Sequence, residues 1–171
     1  DNDERLLIFT DCYDVVFCVS PDKIINKFSE MKTRDKFDIL ISSEAHIWPD
    51  RSLEPQFPDV GTPYKYLNSG GFMGSIKNIK KMIQPHIESY DDDQYYYQIQ
   101  YLKSVKKETD LVIKLDAKAE IFQTLSSHFH NIDIDFGRSC IKNSLTNSEP
   151  LVIHGNGGPQ SKMFFDKLCN Y

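Results

Sequence analysis

Long apolar runs are absent from the sequence, and glycine and proline are sparse. No stretch approaches the roughly 18 consecutive apolar residues that cross a bilayer, so the sequence predicts no transmembrane helix. Glycine and proline each account for 8 of the 171 residues, with no internal repeat and no low-complexity stretch, which is typical of an ordinary globular chain. The first residues, Asp-Asn-Asp-Glu, do not form a signal peptide.

Cysteine and positive charge are also scarce. The four cysteines lack the Cys-x-x-Cys spacing of zinc sites, and they permit disulfides without requiring them, so the redox compartment stays open. The 20 lysines and arginines against 25 acids give a net charge of −5, which argues against a nucleic-acid binder with its usual basic face. A nucleotide ligand is still allowed, because a bound cation can reverse the local sign of the charge.

The pattern of apolar residues predicts one α/β domain over residues 1–171. Short apolar runs of the buried-strand type alternate with amphipathic helices, which indicates a largely parallel sheet. The expected strands are 6–10, 37–41, 111–115, 121–125, 132–136 and 151–153, and the expected helices are 21–33, 77–86 and 91–103. The proline-rich and aromatic segment 46–67 predicts a long structured loop, and such loops are usually functional when they are ordered.

Two acids follow the first predicted strand, and a histidine follows the last. Ligands of open α/β sheets bind at the carboxyl ends of strands, so Asp11, Asp14 and His154 are expected near one site. Carboxylates hold hard divalent cations, and an imidazole favours ions such as Mn²⁺ over Mg²⁺. Gly155 and Gly157 would let the backbone approach a ligand. The structural alternative for each motif alone is a turn with solvated acids or a satisfied histidine.

An acidic run, Asp91-Asp92-Asp93, opens the third predicted helix and is followed by Gln94. Acids in a first turn complement the helix dipole, which is a sufficient structural explanation for part of the run. Three in a row exceed what capping needs. The functional hypothesis is therefore a carboxylate that holds sugar hydroxyls or acts near an anomeric carbon. The tyrosines 95–97 would partly line the same region, with core packing as the alternative for at least one of them.

Three further positions are candidates for binding. Asn68 precedes Ser69-Gly70-Gly71, which the composition predicts to be a turn whose glycines admit a ligand. Trp48, the sole tryptophan, is expected either to stack on a sugar or gate the pocket, or to anchor the core. Glu44 is a candidate supporting acid. The remaining histidines show no ligand spacing and are interpreted as structural or surface residues.

Taken in order, these motifs resemble the glycosyltransferase domain of the procollagen lysyl hydroxylases, a pattern shared by collagen-modifying enzymes of large DNA viruses. The matching segments are DCYDV, SSEAHIWP, FPDVGTPYKYLNSGGFMG, DDDQYYY, LDAKAEIFQTL and LVIHGNG, and they cover nearly the whole chain. The resemblance implies a GT-A-like, Rossmann-type mixed sheet flanked by helices, with Mn²⁺ as cofactor and a UDP-sugar as donor. GT-A domains have several strands ahead of the metal motif, so the strands that grip the uridine are expected to be missing here.

The resemblance also assigns roles to individual residues. The implied metal ligands are Asp11, Asp14 and His154, and the implied catalytic residues are Asp92, Asp93 and Trp48. The implied donor contacts are Asn68, Gly70, Gln94, Gly155, Asn156, Gly157 and Lys162. Lys162 is the nearby candidate for a phosphate-contacting lysine, because the family's Gly-Pro-Thr-Lys run is replaced here by Gly-Gly-Pro-Gln-Ser-Lys.

The implied reaction is Mn²⁺-dependent transfer of glucose from UDP-glucose to galactosyl-hydroxylysine of collagen or a collagen-like protein. The alternatives are galactosyl transfer from UDP-galactose to hydroxylysine, a catalytically silent UDP- or glycan-binding module, and a metal phosphoesterase. The implied compartment is the endoplasmic reticulum lumen for a cellular protein and a host-cell compartment for a viral one. A homodimer is compatible with the resemblance, but the sequence does not determine the oligomeric state.

Overall fold

The computed structural model describes residues 3–84, 92–135 and 140–169. The elements, in chain order, are β1 (Leu6–Thr10), β2 (Val15–Phe17), α1 (Pro21–Asp35), β3 (Ile39–Glu44), β4 (Tyr66–Ser75), α2 (Ile76–Ile83), α3 (Asp93–Val105), β5 (Ile113–Leu115), β6 (Phe122–Thr124), β7 (Ile132–Asp135), β8 (Cys140–Asn143), β9 (Val152–His154) and α4 (Pro159–Cys169). Short 3-10 helices at Arg51–Gln56 and Phe129–Asn131 lie in connecting loops. None of the helices in these ranges is long and apolar enough to cross a lipid bilayer.

The strands form mixed sheets, whereas the alternation of elements predicted a largely parallel one. The main sheet has the order β1-β4-β3-β5, with β4 antiparallel to both β1 and β3, and β3 parallel to β5. A second sheet has the order β2-β9-β6, antiparallel and then parallel, and β7 pairs with β8 as an antiparallel ribbon. The parallel prediction was wrong because β4, which was not identified as a strand, runs opposite to both of its neighbours.

Strand β4 contains the segment that was predicted to be a turn. Asn68 to Gly71 lie inside this ten-residue strand, where Gly71 pairs with Thr10 of β1. The register with β3 shifts across this segment, between the pairs Ile41–Phe72 and Ser43–Leu67. The glycines serve close packing and not chain reversal. A Cβ atom added to Gly71 would lie 2.9 Å from the ring of Phe122, which is closer than side-chain carbons approach one another. Glycine therefore lets the second sheet pack directly on this strand.

Helix α1 begins where the sequence predicts. Ser20 occupies the N-cap position, and Pro21 opens the helix, where its missing N–H costs nothing. Three apolar side chains recur at helical spacing on the inner face and are buried: Ile24, Phe28 and Met31. This face anchors the helix against the sheet.

Strand β3 separates two apolar cores. Ile39 and Ile41 belong to one core, with members from β4, α2, α3 and β5, while Leu40 belongs to the other, beneath α1. The two sheets are joined beside this strand, because the Thr124 hydroxyl donates to the backbone carbonyl of Ser43 at 2.8 Å. A third cluster packs α4 against β9. These contacts fix β3, β4 and β9, whose polar ends build the site.

Several elements differ from the prediction in extent. Strands β2 and β8 and helix α4 were not predicted, and the helix predicted over 77–86 ends at Ile83. Its last residues, and Asp91 at the start of the next predicted helix, lie outside the described ranges. The loop expected over 46–67 is present, with a 3-10 helix inside it, and it gives way to β4 at Tyr66. Within the described residues, β1 has a strand partner on one side alone.

Candidate metal centre and sugar cleft

Asp11, Asp14 and His154 are brought together by the ends of three strands from two sheets. Asp11 follows β1, and its backbone N–H donates to the Gly70 carbonyl in β4 at 3.1 Å. Asp14 precedes β2, which pairs with β9, so that Val15 lies opposite His154. The backbone carbonyl of Asp14 also accepts the N–H of Gly155 at 2.6 Å. Backbone hydrogen bonds thus hold all three residues in place without using their side chains.

The three side chains converge on one point. His154 Nε2 lies 3.3 Å from Asp11 Oδ2 and 3.4 Å from Asp14 Oδ2. One ligand atom from each residue lies within 4.8 Å of the other two. The carboxylates are about half exposed, whereas the imidazole is buried. The site is therefore open to a ligand on its acidic side and rigid on its histidine side.

Asn68 fixes which nitrogen of His154 carries the proton. The Asn68 Oδ1 atom accepts the backbone N–H of Gly70 at 3.1 Å, which identifies it as the oxygen of the amide. The same oxygen lies 3.1 Å from His154 Nδ1, so this ring nitrogen must be the donor. In the neutral ring, Nε2 then carries a lone pair. That lone pair faces the two carboxylates.

A lone pair that faces two carboxylates is unfavourable unless a cation lies between them. Protonation of the ring is one solution, but burial lowers the pKa of His154 despite the opposing attraction of Asp14 and Asp11. A divalent cation is the other solution, since two carboxylate oxygens and one imidazole nitrogen suit ions of the Mn²⁺ type. A histidine that binds a metal usually donates its second N–H to a fixed acceptor, as His154 does to Asn68. The residues of this centre therefore fit a divalent cation.

Gly70 leaves the room that this centre needs. A Cβ atom at this position would overlap the His154 ring and lie 2.8 Å from Asp11 Oδ2. Any residue larger than glycine would therefore displace two of the three candidate ligands. The glycine-rich sequence at this point is explained by the close approach of β4 to the centre.

Glu44 is the hub of a hydrogen-bonded network next to the metal centre. Three side-chain amides donate to its carboxylate: Asn68 at 3.3 Å, Gln94 at 2.9 Å and Asn156 at 3.2 Å. The oxygen of each amide is oriented by a backbone N–H, from Gly70, Ser69 and Leu125 respectively. These backbone contacts therefore direct all three NH₂ groups towards Glu44.

Burial raises the pKa of Glu44, and the three amide donors partly oppose this effect. The carboxyl and its amides line a cleft of about 520 Å³, together with His46, Trp48, Arg51 and Gly157. Such a lining of carboxylate and amide groups offers both acceptors and donors. It suits a ligand with many hydroxyl groups.

Trp48 lies at the rim of this cleft and not in the core. Its side chain is 64% exposed, so the core-anchor alternative for the sole tryptophan is wrong. Its backbone carbonyl is held firmly, because it accepts hydrogen bonds from Gln94 Nε2 at 3.0 Å and Gln98 Nε2 at 2.7 Å.

The acidic run at the start of α3 divides between two positions. Asp92 caps the helix by accepting the backbone N–H of Tyr95 at 2.9 Å, which is the structural explanation for one acid. Asp93 Oδ1 accepts a hydrogen bond from the Ser69 hydroxyl at 3.4 Å and so lies against β4. Both side chains are exposed. Tyr97 packs on Phe72, which agrees with the core-packing alternative for that tyrosine.

The glycines after His154 differ in what they permit. A Cβ on Gly155 would enter the ring of Phe165, so this glycine lets α4 pack against β9. Gly157 has φ +108°, a conformation that favours glycine, and it lines the cleft. Lys162 is exposed in α4, and no hydrogen bond or ion pair of its ammonium group is seen within the described ranges.

Two functional-looking residues were missed by sequence reasoning. Gln98 is fully buried, and its amide reaches the Trp48 carbonyl, while Arg51 lines the cleft. The spacing of Gln94 and Gln98, four residues apart on a predicted helix, places them on one face and was the available signal. No pattern in the sequence marked Arg51.

The mixed α/β fold and this acid–acid–histidine centre define a GT-A-like glycosyltransferase domain. A family model described as "PLOD GT domain" matches residues 1–171, and the chain belongs to that family. The resemblance on which the sequence analysis rested is thereby confirmed, as are the mixed fold and the enzyme class.

Relatives are found in a virus and in animals. The chain is 38% identical over 161 residues to "Uncharacterized protein R699" of Acanthamoeba polyphaga mimivirus, a match that covers 94% of this chain and 33% of that protein. It is 35% identical over 174 residues to human "Multifunctional procollagen lysine hydroxylase and glycosyltransferase LH3", and 32% identical over 174 residues to human "Procollagen-lysine,2-oxoglutarate 5-dioxygenase 2". Both human matches cover 100% of this chain and 23% of the relative. The chain thus spans from 23% to 33% of the length of these proteins.

Proposed function

We propose that this glycosyltransferase domain uses Mn²⁺ and transfers glucose from UDP-glucose to galactosyl-hydroxylysine of collagen or a collagen-like protein. The observation that carries the proposal is the centre in which the lone pair of His154 faces Asp11 and Asp14. The names of both human relatives refer to procollagen lysine, and one of them refers also to glycosyltransferase activity, which supports the acceptor class.

In this proposal Asp11, Asp14 and His154 hold the cation, with Asn68 orienting the imidazole. The bound ion would supply Lewis acidity and a fixed point for the diphosphate of the donor. Gly70 keeps that point clear of side chains, and the donor is assigned to approach the backbone at Gly157, which lines the cleft. Lys162 in α4 is the candidate for a phosphate contact.

The sugar is assigned to the cleft around Glu44. The carboxylate and the amides of Gln94, Asn68 and Asn156 bind hydroxyl groups and hold the ring in one orientation. The transition state is expected to resemble an oxocarbenium ion, by analogy with hydrolysis of the same bond type.

The acids at the start of α3 are assigned to the reacting carbon. A carboxylate from Asp92 or Asp93 would stabilise the positive charge that develops there. Asp93 is favoured because its carboxylate accepts a hydrogen bond from the Ser69 hydroxyl of β4, whereas the Asp92 carboxylate caps the helix. Trp48 is assigned to stacking at the mouth of the cleft.

The test is a transfer assay on a collagen peptide that carries galactosyl-hydroxylysine, with mass spectrometry to detect one added hexose. The wild-type chain should add glucose from UDP-glucose when Mn²⁺ is present. Asp14→Ala should lower this rate by roughly a thousandfold or more, because a catalytic metal supplies several kcal/mol to the transition state. Asp133→Ala, an exposed acid in β7, is the control and should leave the rate unchanged. Circular dichroism would confirm that both variants fold.

The same assay, together with measurements of UDP binding and phosphate release, distinguishes the alternative functions. Transfer from UDP-galactose to unmodified hydroxylysine would replace glucose with galactose in the proposal. Binding of UDP without transfer would indicate a silent module, and release of phosphate would indicate a phosphoesterase. Undiminished transfer by Asp14→Ala would reject the metal assignment. The single-domain assignment of residues 1–171, the compartment and the homodimer remain predictions.

A further inference from the structure

Gln98 in α3 is a buried polar residue whose arrangement has no obvious structural benefit. Its side chain is fully buried, and its Nε2 atom donates to the Trp48 carbonyl at 2.7 Å. Its Oε1 atom is also buried and has no hydrogen-bond partner within the described ranges. An unpaired buried oxygen lowers stability, so a glutamine kept at this position needs another explanation.

The partner of Gln98 supplies that explanation. Gln94 and Gln98 lie one helical turn apart on the same face of α3, and both donate to the one carbonyl oxygen of Trp48. Gln94 is also bound to Ser69 and Glu44, so it belongs to the network of the cleft. Gln98 forms no hydrogen bond with Ser69 or Glu44, and its side-chain amide donates to the backbone carbonyl of Trp48.

Trp48 itself has little else to hold it at the rim of the cleft. The residue is 64% exposed, so side-chain packing contributes little to its position. The hydrogen bonds from the side-chain amides of Gln94 and Gln98 attach the Trp48 backbone to α3. This helix begins at Asp93, beside β4. The attachment therefore fixes the backbone of Trp48 relative to this helix, and with it the point from which the indole extends.

We propose that Gln98 is a positioning residue that holds Trp48 over the cleft, so that the indole can stack on a hexose ring bound there. The hexose belongs either to the nucleotide-sugar donor or to a glycosylated acceptor, and it is recognised by the flat aromatic face of the indole. This inference rests on the proposed function for the identity of the ligand, but the attachment of the loop stands independently of it.

The attachment is tested first without any ligand. In Gln98→Met the side chain keeps its approximate size and loses the donor, and the unpaired oxygen disappears as well. We expect thermal stability equal to or above that of the wild type, together with faster motion of the Trp48 loop. In ¹⁵N relaxation measurements the order parameter of the Trp48 backbone amide should fall from about 0.85 towards about 0.6.

Two further variants make this test secure. Gln98→Leu also removes the amide donor and introduces no ionisable group, so it should loosen the same loop even if Gln98→Met folds poorly. Gln100→Met, a partly exposed glutamine on the same helix, is the matched control and should leave the order parameter unchanged. An unchanged order parameter at Trp48 in folded Gln98→Met and Gln98→Leu would overturn the proposal.

Ligand binding then tests the role of the indole. Titrations with UDP, UDP-glucose and a galactosyl-hydroxylysine peptide identify which ligand carries the stacked hexose. Gln98→Met should weaken the binding of UDP-glucose or of the peptide by about fivefold, the factor that one hydrogen bond typically contributes, and should leave UDP binding unchanged. Equal weakening of UDP, or no weakening of either sugar ligand, would overturn the proposal. Failure of the chain to transfer sugar would reject the proposed function without affecting the result for the loop.

Discussion

Replacing Asn68 with leucine should weaken Mn²⁺ binding by about 10–100-fold, or about 1.4–2.8 kcal/mol, the usual contribution of a residue that orients a metal-bound histidine. In the wild type, Asn68 Oδ1 accepts from the Gly70 backbone and from His154 Nδ1, both at 3.1 Å. Leucine offers no acceptor. The proton of the imidazole can then move to Nε2, which would direct an N–H group, and no lone pair, at the cation.

The matched control is Asn156→Leu. Asn156 also donates its amide to Glu44, at 3.2 Å, and its oxygen also accepts backbone N–H groups, but it does not contact His154. Comparing the two variants therefore separates the contact with His154 from the contact with Glu44. The measurement is the electron paramagnetic resonance signal of free Mn²⁺ during titration of the nucleotide-free protein.

The expected order of affinity is wild type and Asn156→Leu close together, with Asn68→Leu clearly weaker. Wild-type affinity in a folded Asn68→Leu variant would refute the assignment of the tautomer. An equal loss in both variants would also refute it, because the common factor would then be Glu44. Thermal unfolding of each variant without metal serves as the check on folding.

Three further outcomes follow from the structure. Gly70→Ala should abolish Mn²⁺ binding in the same titration, because its methyl group enters the centre. Gly158→Ala is the control and should bind normally, because its added Cβ meets no atom within 4 Å. Equal binding by both variants would contradict the proposed centre. Burial raises the pKa of Glu44, so the folded state holds this proton more tightly than the unfolded state, and the stability it contributes is present below the unfolded pKa and is lost as pH rises through the folded pKa. In Glu44→Gln, the fall in the urea midpoint that this carboxyl causes between about pH 4 and 7 should disappear. An unchanged dependence of the midpoint on pH would argue against a raised pKa of Glu44. Asp116→Ala should lower the free energy of unfolding by about 3 kcal/mol, because the buried carboxylate accepts three backbone N–H groups over 120–122, and a loss below about 1 kcal/mol in urea unfolding would show that these groups find other partners.

The metal centre was accessible to sequence reasoning because its residues sit at the ends of strongly apolar strands. The runs before Asp11 and before His154 identify β1 and β9, and the rule that ligands gather at strand ends then places the two residues near one site. The family resemblance added the roles. The directions of the strands were predicted wrongly, because β4, which runs antiparallel to both of its neighbours, was interpreted as a turn and not as a strand.

The errors have a common physical origin in glycine and in short elements. Glycines in 68–71 were interpreted as a turn because they usually mark one, whereas here they admit His154 and Phe122 to the surface of β4. Strand β2 is three residues long and carries no detectable period. The arrangement of amides around Glu44 was also hidden, because it depends on which side chains three separate elements bring together.

The centre lies on the seam between the two sheets. Asp11 follows β1 of the main sheet, whereas Asp14 precedes β2 and His154 ends β9 in the second sheet. The hydroxyl that bridges the two sheets belongs to Thr124, the β6 residue that pairs with His154. A small slip of one sheet against the other would pull the ligands apart even with every site residue intact. Loss of activity from changes along that seam would therefore signal misalignment. A bound cation would hold the two sheets together and raise the melting temperature, and the rise should continue logarithmically as the cation concentration exceeds its Kd.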